Sequence, residues 1–501
     1  MIFFPVKTIF ELDAYTIDHE PILSINLMER AARKMYEYIH THYQGRSFLV
    51  LAGPGNNGGD ALALSRVMLL GGYDVTVVLL KSEGLSPDTQ INRNRLNYLE
   101  HAVVVSLDRG HPLPTPDPET IIIDGLFGIG LNRPLEKEAL SLVQIVNKWP
   151  NQVISIDIPS GLMGEDNSSN NADGVIESDL ILTLQFPKLS FFFPENQRFI
   201  DRWEVLPIGL HEGKISETES LWSFTDLADV KNKLPSRNKF THKNQIGHAL
   251  LIAGSYGMMG AAVLASRACM KSGVGLLTAH VPCNSSHILH IAVPEVLVSI
   301  DRSELMFTEH PNLEKFDAVG IGPGMGVNTN SIRAFTHLLD HIENRPLVVD
   351  ADALNILSTH PELLDKLPEN TILTPHPGEF KRLVGSWEGD YHRMHKAVEF
   401  CKLFKVIVVL KGAFTTVVLP DGHCHFNSTG NAGMATAGCG DALTGVILAL
   451  LGRGLKPDDA ALLGVYLHGL AGDLAAGKCG QDSLITSDLI DCLGDGFRLL
   501  Q

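Results

Sequence analysis

Along roughly the first two hundred residues, short β-branched and aliphatic runs alternate with longer mixed segments: "FLVLAG" (48–53), "VTVVLL" (75–80), "AVVVSL" (102–107), "TIIIDG" (120–125), "VISIDIP" (153–159) and "LILTLQ" (180–185). Near-continuous apolar runs of this length suit strands buried on both faces, and the segments between them carry helical patterns. A mostly parallel sheet covered by helices is therefore predicted. The alternation lapses through the polar stretch "FPENQRFIDRWEVLPIGLHEGKISETES", read as the last strand of one domain followed by a linker. It resumes at "HALLIAGS" (248–255) and continues through "LLTAHVP", "DAVGIGPG", "LVVDADAL", "TILTPHPGE", "VIVVLKG" and "TTVVLP". Two α/β domains are expected, residues 1–215 with a Rossmann-like doubly wound sheet and a larger one over residues 216–501.

Composition narrows the classes. With 501 residues, 45% hydrophobic and 19% charged, the chain has the make-up of a globular protein, and no uninterrupted apolar stretch nears the ~20 residues that span a bilayer. The net charge of −17 opposes nonspecific binding to nucleic acid, yet leaves room for phosphorylated metabolites held by local backbone amides. The opening "MIFFPVKTIFELDAYTIDHE" lacks the n-region and cleavage site of a signal peptide, and a cytoplasmic location is expected. All seven cysteines lie in the second half without C-x-x-C spacing, which argues against a disulfide framework or a structural zinc site. "HCH" at 423–425 reads as an edge strand rather than a ligand set, because alternate residues point to opposite faces.

The segment "LAGPGNNGGDALALSR" (51–66) carries the dinucleotide spacing Gly53-x-Gly55-x-x-Gly58 after a strand. A dehydrogenase also needs an acid at the end of the second strand for the ribose, and Glu83 is a weak fit. Asp60 is expected in the first helical turn near a phosphate, and Asn56 and Asn57 are amides that pyrophosphate binding does not require. The absence of G-K-[ST] excludes a Walker A loop. Two further strand ends, "DGLFGIGLNRP" from Asp124 and "IDIPSG" with Asp157 and Ser160, converge on the same crevice in a parallel sheet. Asn57, Asp124 and Ser160 then either supply oxygens to a hard cation or merely cap neighbouring turns.

Together these stretches resemble the NAD(P)H-hydrate epimerase family: G-x-G-N-N-G-G-D at Gly53–Asp60, D-x-x-F-G-x-G-x-x-R-P at Asp124–Pro134, D-I-P-S-G at Asp157–Gly161, and "LSINLMERAA" (23–32) like its first helix. The resemblance implies potassium on Asn57, Asp124 and Ser160. It places Asn56, Asn57, Gly58, Gly59 and Asp60 against the ligand, with Gly128, Ile129, Gly130, Leu131, Asn132, Arg133, Pro134 and Asp157. The nicotinamide nucleotide would then be a substrate hydrated at C6, with Asp157 either transferring a proton or only orienting the ring. Ala61 departs from the glycine often found there.

In the second half, "NAGMATAGCGDALTGVILALL" (431–451) sets Gly438-Cys439-Gly440 before Asp441 and an apolar helix. This is either a capped helix start or an anion hole for a transferring phosphoryl group, with Asp441 taking a proton from the attacking hydroxyl. With "LKGAFTTV" (410–417), "TPHPGEF" (374–380), "GIGPGMG" (320–326) and "GSYGMMGAAVLASRACMKSGVGLLT" (254–278), it resembles the ribokinase-like kinases and, more specifically, the ADP-dependent NAD(P)H-hydrate dehydratases. That resemblance covers about 240–500. It implies a ribokinase-like fold and adenine nucleotide, with magnesium, on Lys411, Gly412, Ala413, Phe414 and Thr415 and on Asn431, Ala432, Gly433, Met434, Ala435, Thr436, Ala437, Gly438, Cys439 and Gly440. It also implies the hydrate on Ala261 or Ala262, Gly324 or Gly326, His376 and Asp441. His376, between two prolines, could instead brace a turn. Cys439 stands where Ser or Thr is usual and Ala437 where Gly is usual; a thiol donates more weakly than a hydroxyl, and a small buried cysteine is the simpler reading.

The implied function is a bifunctional repair enzyme. One half epimerises the R and S hydrates of NADH and NADPH, and the other dehydrates the S form at the expense of ADP, releasing AMP and phosphate. The expected partners are the hydrates, adenine nucleotide and further copies of the chain, with neither nucleic acid nor membrane. The rivals are a kinase of a vitamin precursor or sugar, and a first domain that only senses a ligand.

Overall fold

The computed structural model describes every residue except 83, 108–112, 235–236 and 501; Glu83, considered above for a ribose, lies outside the described residues. Two compact units divide the chain. One comprises Ile2–Ser220 with Glu388–Tyr391, and the other Leu221–Trp387 and His392–Gln501 with Met1. The changeover at Ser220 falls just beyond an exposed one-and-a-half-turn helix, Glu212–Glu217, whose polarity offers no contrast with its surroundings.

The N-terminal unit is built on seven strands: β1 (Ser47–Ala52), β2 (Asp74–Leu80), β3 (Val103–Leu107), β4 (Ile121–Gly125), β5 (Val153–Ile156), β6 (Leu180–Leu184) and β7 (Trp203–Leu206). They pair in parallel in the order β3-β2-β1-β4-β5-β6-β7. This is the doubly wound order, in which the winding reverses between β1 and β4. Val50, Leu51 and Ala52 are wholly buried, as are Ile122 and Ile123 beside them, because helices cover both faces. The loops leaving β1 and β4 diverge at the reversal and open a crevice.

The C-terminal unit continues with β8 (Trp222–Thr225), β9 (His248–Ile252), β10 (Leu276–Pro282), β11 (Leu297–Asp301), β12 (Ala318–Ile321), β13 (Leu347–Val349), β14 (Ile372–Leu373), β15 (Ile407–Leu410), β16 (Thr416–Val418) and β17 (Cys424–Asn427). Within this unit the order is β8-β17-β16-β15-β14-β13-β12-β9-β10-β11, parallel except where β16 pairs with β15 and β17. Here the winding reverses at β9, between β10 and β12. The "HCH" segment is not an edge: β17 lies between β16 and β8, and His425 Nδ1 meets Ser223 Oγ at 2.6 Å. Helix Pro457–Cys479 is long and apolar enough to cross a membrane although polar residues interrupt its apolar run, and its most apolar part is 72% buried in the unit, as in a core helix.

Two candidate active sites

The first site is a cavity of about 650 Å³ at the β1/β4 reversal. Helix Val6–His19 contributes Ile9, Phe10 and Asp13, the start of helix Asn56–Leu70 contributes Asn56, Asn57 and Asp60, and the loop after β4 contributes Gly128, Ile129, Gly130 and Leu131. Asp157 enters from the end of β5. Asp60 sits in the second helical turn, not the first as expected, because the helix already begins at Asn56. Gly58 and Gly59 do not line the cavity. A Cβ on Gly58 would fall 1.9 Å from the Gly53 carbonyl oxygen, so this glycine lets the helix start close over the turn. Asn132, Arg133 and Pro134 also lie outside the lining, the first two exposed. Ala61 is wholly buried against Gly125 and contributes no group to the cavity.

Four carboxyl groups line this cavity, those of Asp13, Asp60, Asp88 and Asp157. Burial, reinforced by the Asp157 charge and opposed by that of Lys188, lifts Asp13 to about 7. Burial, with Asp157, Asp13 and Asp88 nearby, holds Asp60 well above the ordinary carboxyl range. Asp157 adopts φ 65°, a left-handed conformation rare outside glycine. Its Oδ1 accepts from Lys188 Nζ at 2.5 Å and from the Leu184 amide at 2.9 Å. Lys188 is itself 1% exposed and also donates to Thr183 Oγ1 and the Phe186 carbonyl, both at 2.9 Å. Neither Asp13 nor Lys188 was anticipated from sequence. A single lysine inside "LQFPKLSFFFP" was the available signal for one, and helix Val6–His19 offered none for the other.

Below the cavity, Asp124 is wholly buried. It accepts from Ser160 Oγ at 2.5 Å, the Ser160 amide at 2.8 Å and Ser155 Oγ at 3.0 Å, while burial raises its carboxyl. Asn57 packs beside Gly128, and its Nδ2 is buried without a hydrogen-bond partner among the described residues. With the amide turned over, the unpartnered atom is a carbonyl oxygen, a donor that suits a hard cation. Asp124 and Ser160 each present side-chain oxygens, bonded to one another, and Asn57 presents an amide, donor types that fit a hard cation such as potassium.

The second site lies at the carboxyl ends of β9, β12, β13, β14 and β15. The loops after β9 and β12 are tied together by the Gly254 amide to the Pro323 carbonyl and by Ser255 Oγ to the Gly324 carbonyl, each at 2.8 Å. Ala261 stands over Gly324, whereas Ala262 is wholly buried and unavailable to a ligand. Gly326 donates its amide to Asp352 at 2.9 Å. Asp441 lies in the first turn of helix Cys439–Gly452. Burial, together with the charges of Asp350 and Asp352 and against that of Lys411, lifts it to about 6.

Lys411, expected to meet nucleotide, binds Asp350 Oδ1 at 2.7 Å, and the other oxygen of this buried acid accepts from Thr444 Oγ1 at 2.7 Å. Asp350 and Asp352 were read only as part of the strand segment "LVVDADAL". Their position beyond the end of a parallel strand was the overlooked signal. A Cβ on Gly440 would come 3.1 Å from Lys411 Nζ, so the turn Lys411–Thr415 adjoins the glycine-rich helix start. Gly412 and Ala413 are exposed, and Thr415 Oγ1 closes the turn on the Gly412 carbonyl. Phe414 packs toward Phe224.

In the stretch before the helix, Asn431 caps Ala432–Met434 through the Gly433 amide and donates to Asp473 at 2.8 Å. Ala435 and Ala437 are exposed, Thr436 is half-buried, and Gly438 caps the helix at φ 91°. Cys439 is buried with its thiol 3.4 Å from Thr486 Oγ1, leaving only its backbone amide for a ligand. His376 does brace a turn: it caps helix Pro377–Val384 through the Gly378 amide while remaining half exposed.

Two α/β units, each with an acid lifted toward neutrality near the carboxyl ends of parallel strands, define the class as an enzyme with two separate candidate sites. Comparisons make the class specific. Residues 249–494 match the family described as NAD(P)H-hydrate dehydratase, and residues 24–190 match the family described as YjeF-related protein N-terminus. A bifunctional NAD(P)H-hydrate repair enzyme of Moorella thermoacetica is 34% identical over 98% of this chain and 96% of its own length; the enzyme of that description from Escherichia coli is 31% identical over 93% and 88%. A ribokinase-like superfamily protein of Enterococcus faecalis, 24% identical with a TM-score of 0.50, shares the fold of the C-terminal unit, covering 56% of this chain and 98% of its own. The chain belongs to the bifunctional NAD(P)H-hydrate repair enzymes, which join an epimerase domain to a dehydratase domain.

Proposed function

We propose that residues 1–215, extended to Ser220, interconvert the R and S hydrates of NADH and NADPH, and that the remainder dehydrates the S form with ADP, releasing AMP and phosphate. Asp13, lifted to about 7, carries the epimerase reading, because a proton-transfer group works best when its pKa lies near the working pH. Asp157, held by the Lys188 ammonium, then orients the dihydronicotinamide ring, and Asp60 in its protonated form donates to it. Potassium on Asn57, Asp124 and Ser160 would fix the floor of the cavity, offsetting the buried Asp124 charge.

In the dehydratase site, Asp441 takes the C6 hydroxyl proton as that oxygen attacks the terminal phosphorus of ADP. AMP leaves, and departure of phosphate from C6 with loss of a ring proton restores the conjugated ring. The amides of Gly438–Gly440 face the transferring group, and the Lys411–Thr415 turn and the Asn431–Ala437 stretch hold the nucleotide. Magnesium, when bound, neutralises phosphate charge, its preferred ligands being phosphate oxygens, water and one or two carboxylates. Ala261, Gly324 or Gly326 and His376 would border the hydrate. Incubating mixed hydrates with and without ADP tests the reading: reduced cofactor should be recovered fully with ADP and not without it. A stable phosphorylated product would instead establish a kinase.

A further inference from the structure

Away from both sites, three imidazoles of the C-terminal unit converge: His337 and His341, one turn apart on helix Thr329–His341, and His310, which follows β11 in the chain. One nitrogen from each lies within 4.8 Å of the others. His310 is half-buried; the other two are exposed and accessible to an ion. We propose that His310, His337 and His341 form a binding site for a divalent transition metal of the zinc class.

The hydrogen bonds already favour the required tautomers. His310 Nδ1 lies 2.9 Å from the Pro311 carbonyl and His341 Nδ1 lies 2.8 Å from the His337 carbonyl. A carbonyl accepts only, so each Nδ1 carries the proton and each Nε2 presents a lone pair. Such Nδ1–H to carbonyl bonds are the outer contacts by which metal-binding histidines are oriented. His337 Nδ1 faces His310 Nε2 at 2.8 Å, so without an ion it donates its proton there. Binding moves that proton to His337 Nε2 and frees Nδ1 as the third ligand.

Bonds of about 2.0–2.1 Å in a tetrahedral site separate nitrogens by about 3.3 Å. The His310–His337 pair must therefore open by about half an ångström, within reach of an exposed side chain. Asp340, on the same turn, is engaged by Lys366 at 2.7 Å, leaving the fourth position to water. An all-imidazole set selects zinc, nickel or copper over magnesium or calcium.

The ion would clip the segment following β11 to the helix. The first of these reaches the dehydratase crevice through the Leu305 carbonyl, which accepts from the Tyr256 amide at 2.8 Å. The helix starts just after Gly326, and Ser331 Oγ holds the Phe307 carbonyl at 3.1 Å.

Titration of the metal-free full-length protein with zinc alone, read by competition with a chromophoric chelator, should show one site weakened at least tenfold in each of His310→Ala, His337→Ala and His341→Ala. Dehydratase turnover of the variants without added zinc should stay near that of the parent and reports that they are folded. Cobalt substitution identifies the ligands: nitrogen-ligated visible bands lost in His337→Ala are expected. Parent-like zinc binding in the variants, or thiolate charge-transfer bands placing the ion on exposed Cys283 or Cys479, would overturn the proposal.

Discussion

Both crevices sit where the winding of a parallel sheet reverses, and both hold an aspartate lifted toward neutrality, Asp13 to about 7 and Asp441 to about 6. They differ in what opposes the carboxyl. Behind the N-terminal cavity the buried ammonium of Lys188 is committed to Asp157, so Asp13 and Asp60 face acidic neighbours in a largely apolar wall. In the C-terminal crevice Lys411 is balanced by Asp350, and the start of helix Cys439–Gly452 adds backbone amides on the Asp441 side. The first arrangement suits moving a proton without transferring a charged group. The second suits an arriving phosphoryl group, whose charge those amides can meet.

The largest effect that would test this contrast is Asp441→Asn. Removing a general base costs about 10²–10⁴-fold, so dehydration should collapse while epimerisation, followed by chiral separation of the hydrates, stays near normal. Retention of more than about a third of the dehydration rate would remove Asp441 from that role. Asp13→Asn should do the reverse, lowering epimerisation by about 100-fold. Given mixed hydrates and excess ADP, it should convert the S fraction rapidly and then stall at the slow rate of spontaneous epimerisation. If Asp157→Ala stalls and Asp13→Asn does not, the two aspartates exchange roles.

Smaller, and confined to the first cavity, is the response to potassium. Asp124→Ala removes the charged oxygen from the Asn57, Asp124 and Ser160 set. Epimerase activity should then fall about tenfold and become indifferent to added potassium. A variant that still responds would show that these residues do not form the cation site.

How much of this was legible depended on where each feature lies in the chain. Strands such as β1 and β4 announced themselves because burial on both faces leaves no polar positions. β11 did not, since Leu297 and Ile300 are about half exposed and the segment reads as a loop. The motif residues Asn57, Asp124, Ser160 and Asp441 were visible because each belongs to a contiguous glycine-marked loop. Asp13, Lys188 and Asp350 were not, because their chemistry depends on neighbours distant in sequence. Asp13 is one acid among several in an amphipathic helix until the fold sets it beside Asp157. Gly58 and Gly59 were placed against the ligand from the motif alone, although their absent side chains serve packing.

The smallest effect separates catalytic from structural readings of Asp13. Its carboxyl titrates at about 7 in the folded protein against 3.8 as an ordinary carboxyl, so between these values the folded state holds a proton that the unfolded chain has lost. Stability from this group is therefore fully present below 3.8, falls as pH rises, and is lowest above about 7. Asp13→Asn abolishes the titration and should stabilise the N-terminal unit most at pH 8, by about 1–3 kcal/mol, less at pH 5, and negligibly at pH 3.5. Calorimetry of the full-length variant at these three values, following the transition that moves, measures the trend. A gain at pH 8 with lost epimerisation means the protein tolerates a destabilising carboxyl for its chemistry. A gain independent of pH would mean that Asp13 is not held near neutrality, and the contrast between the two crevices would then rest on Asp441 alone.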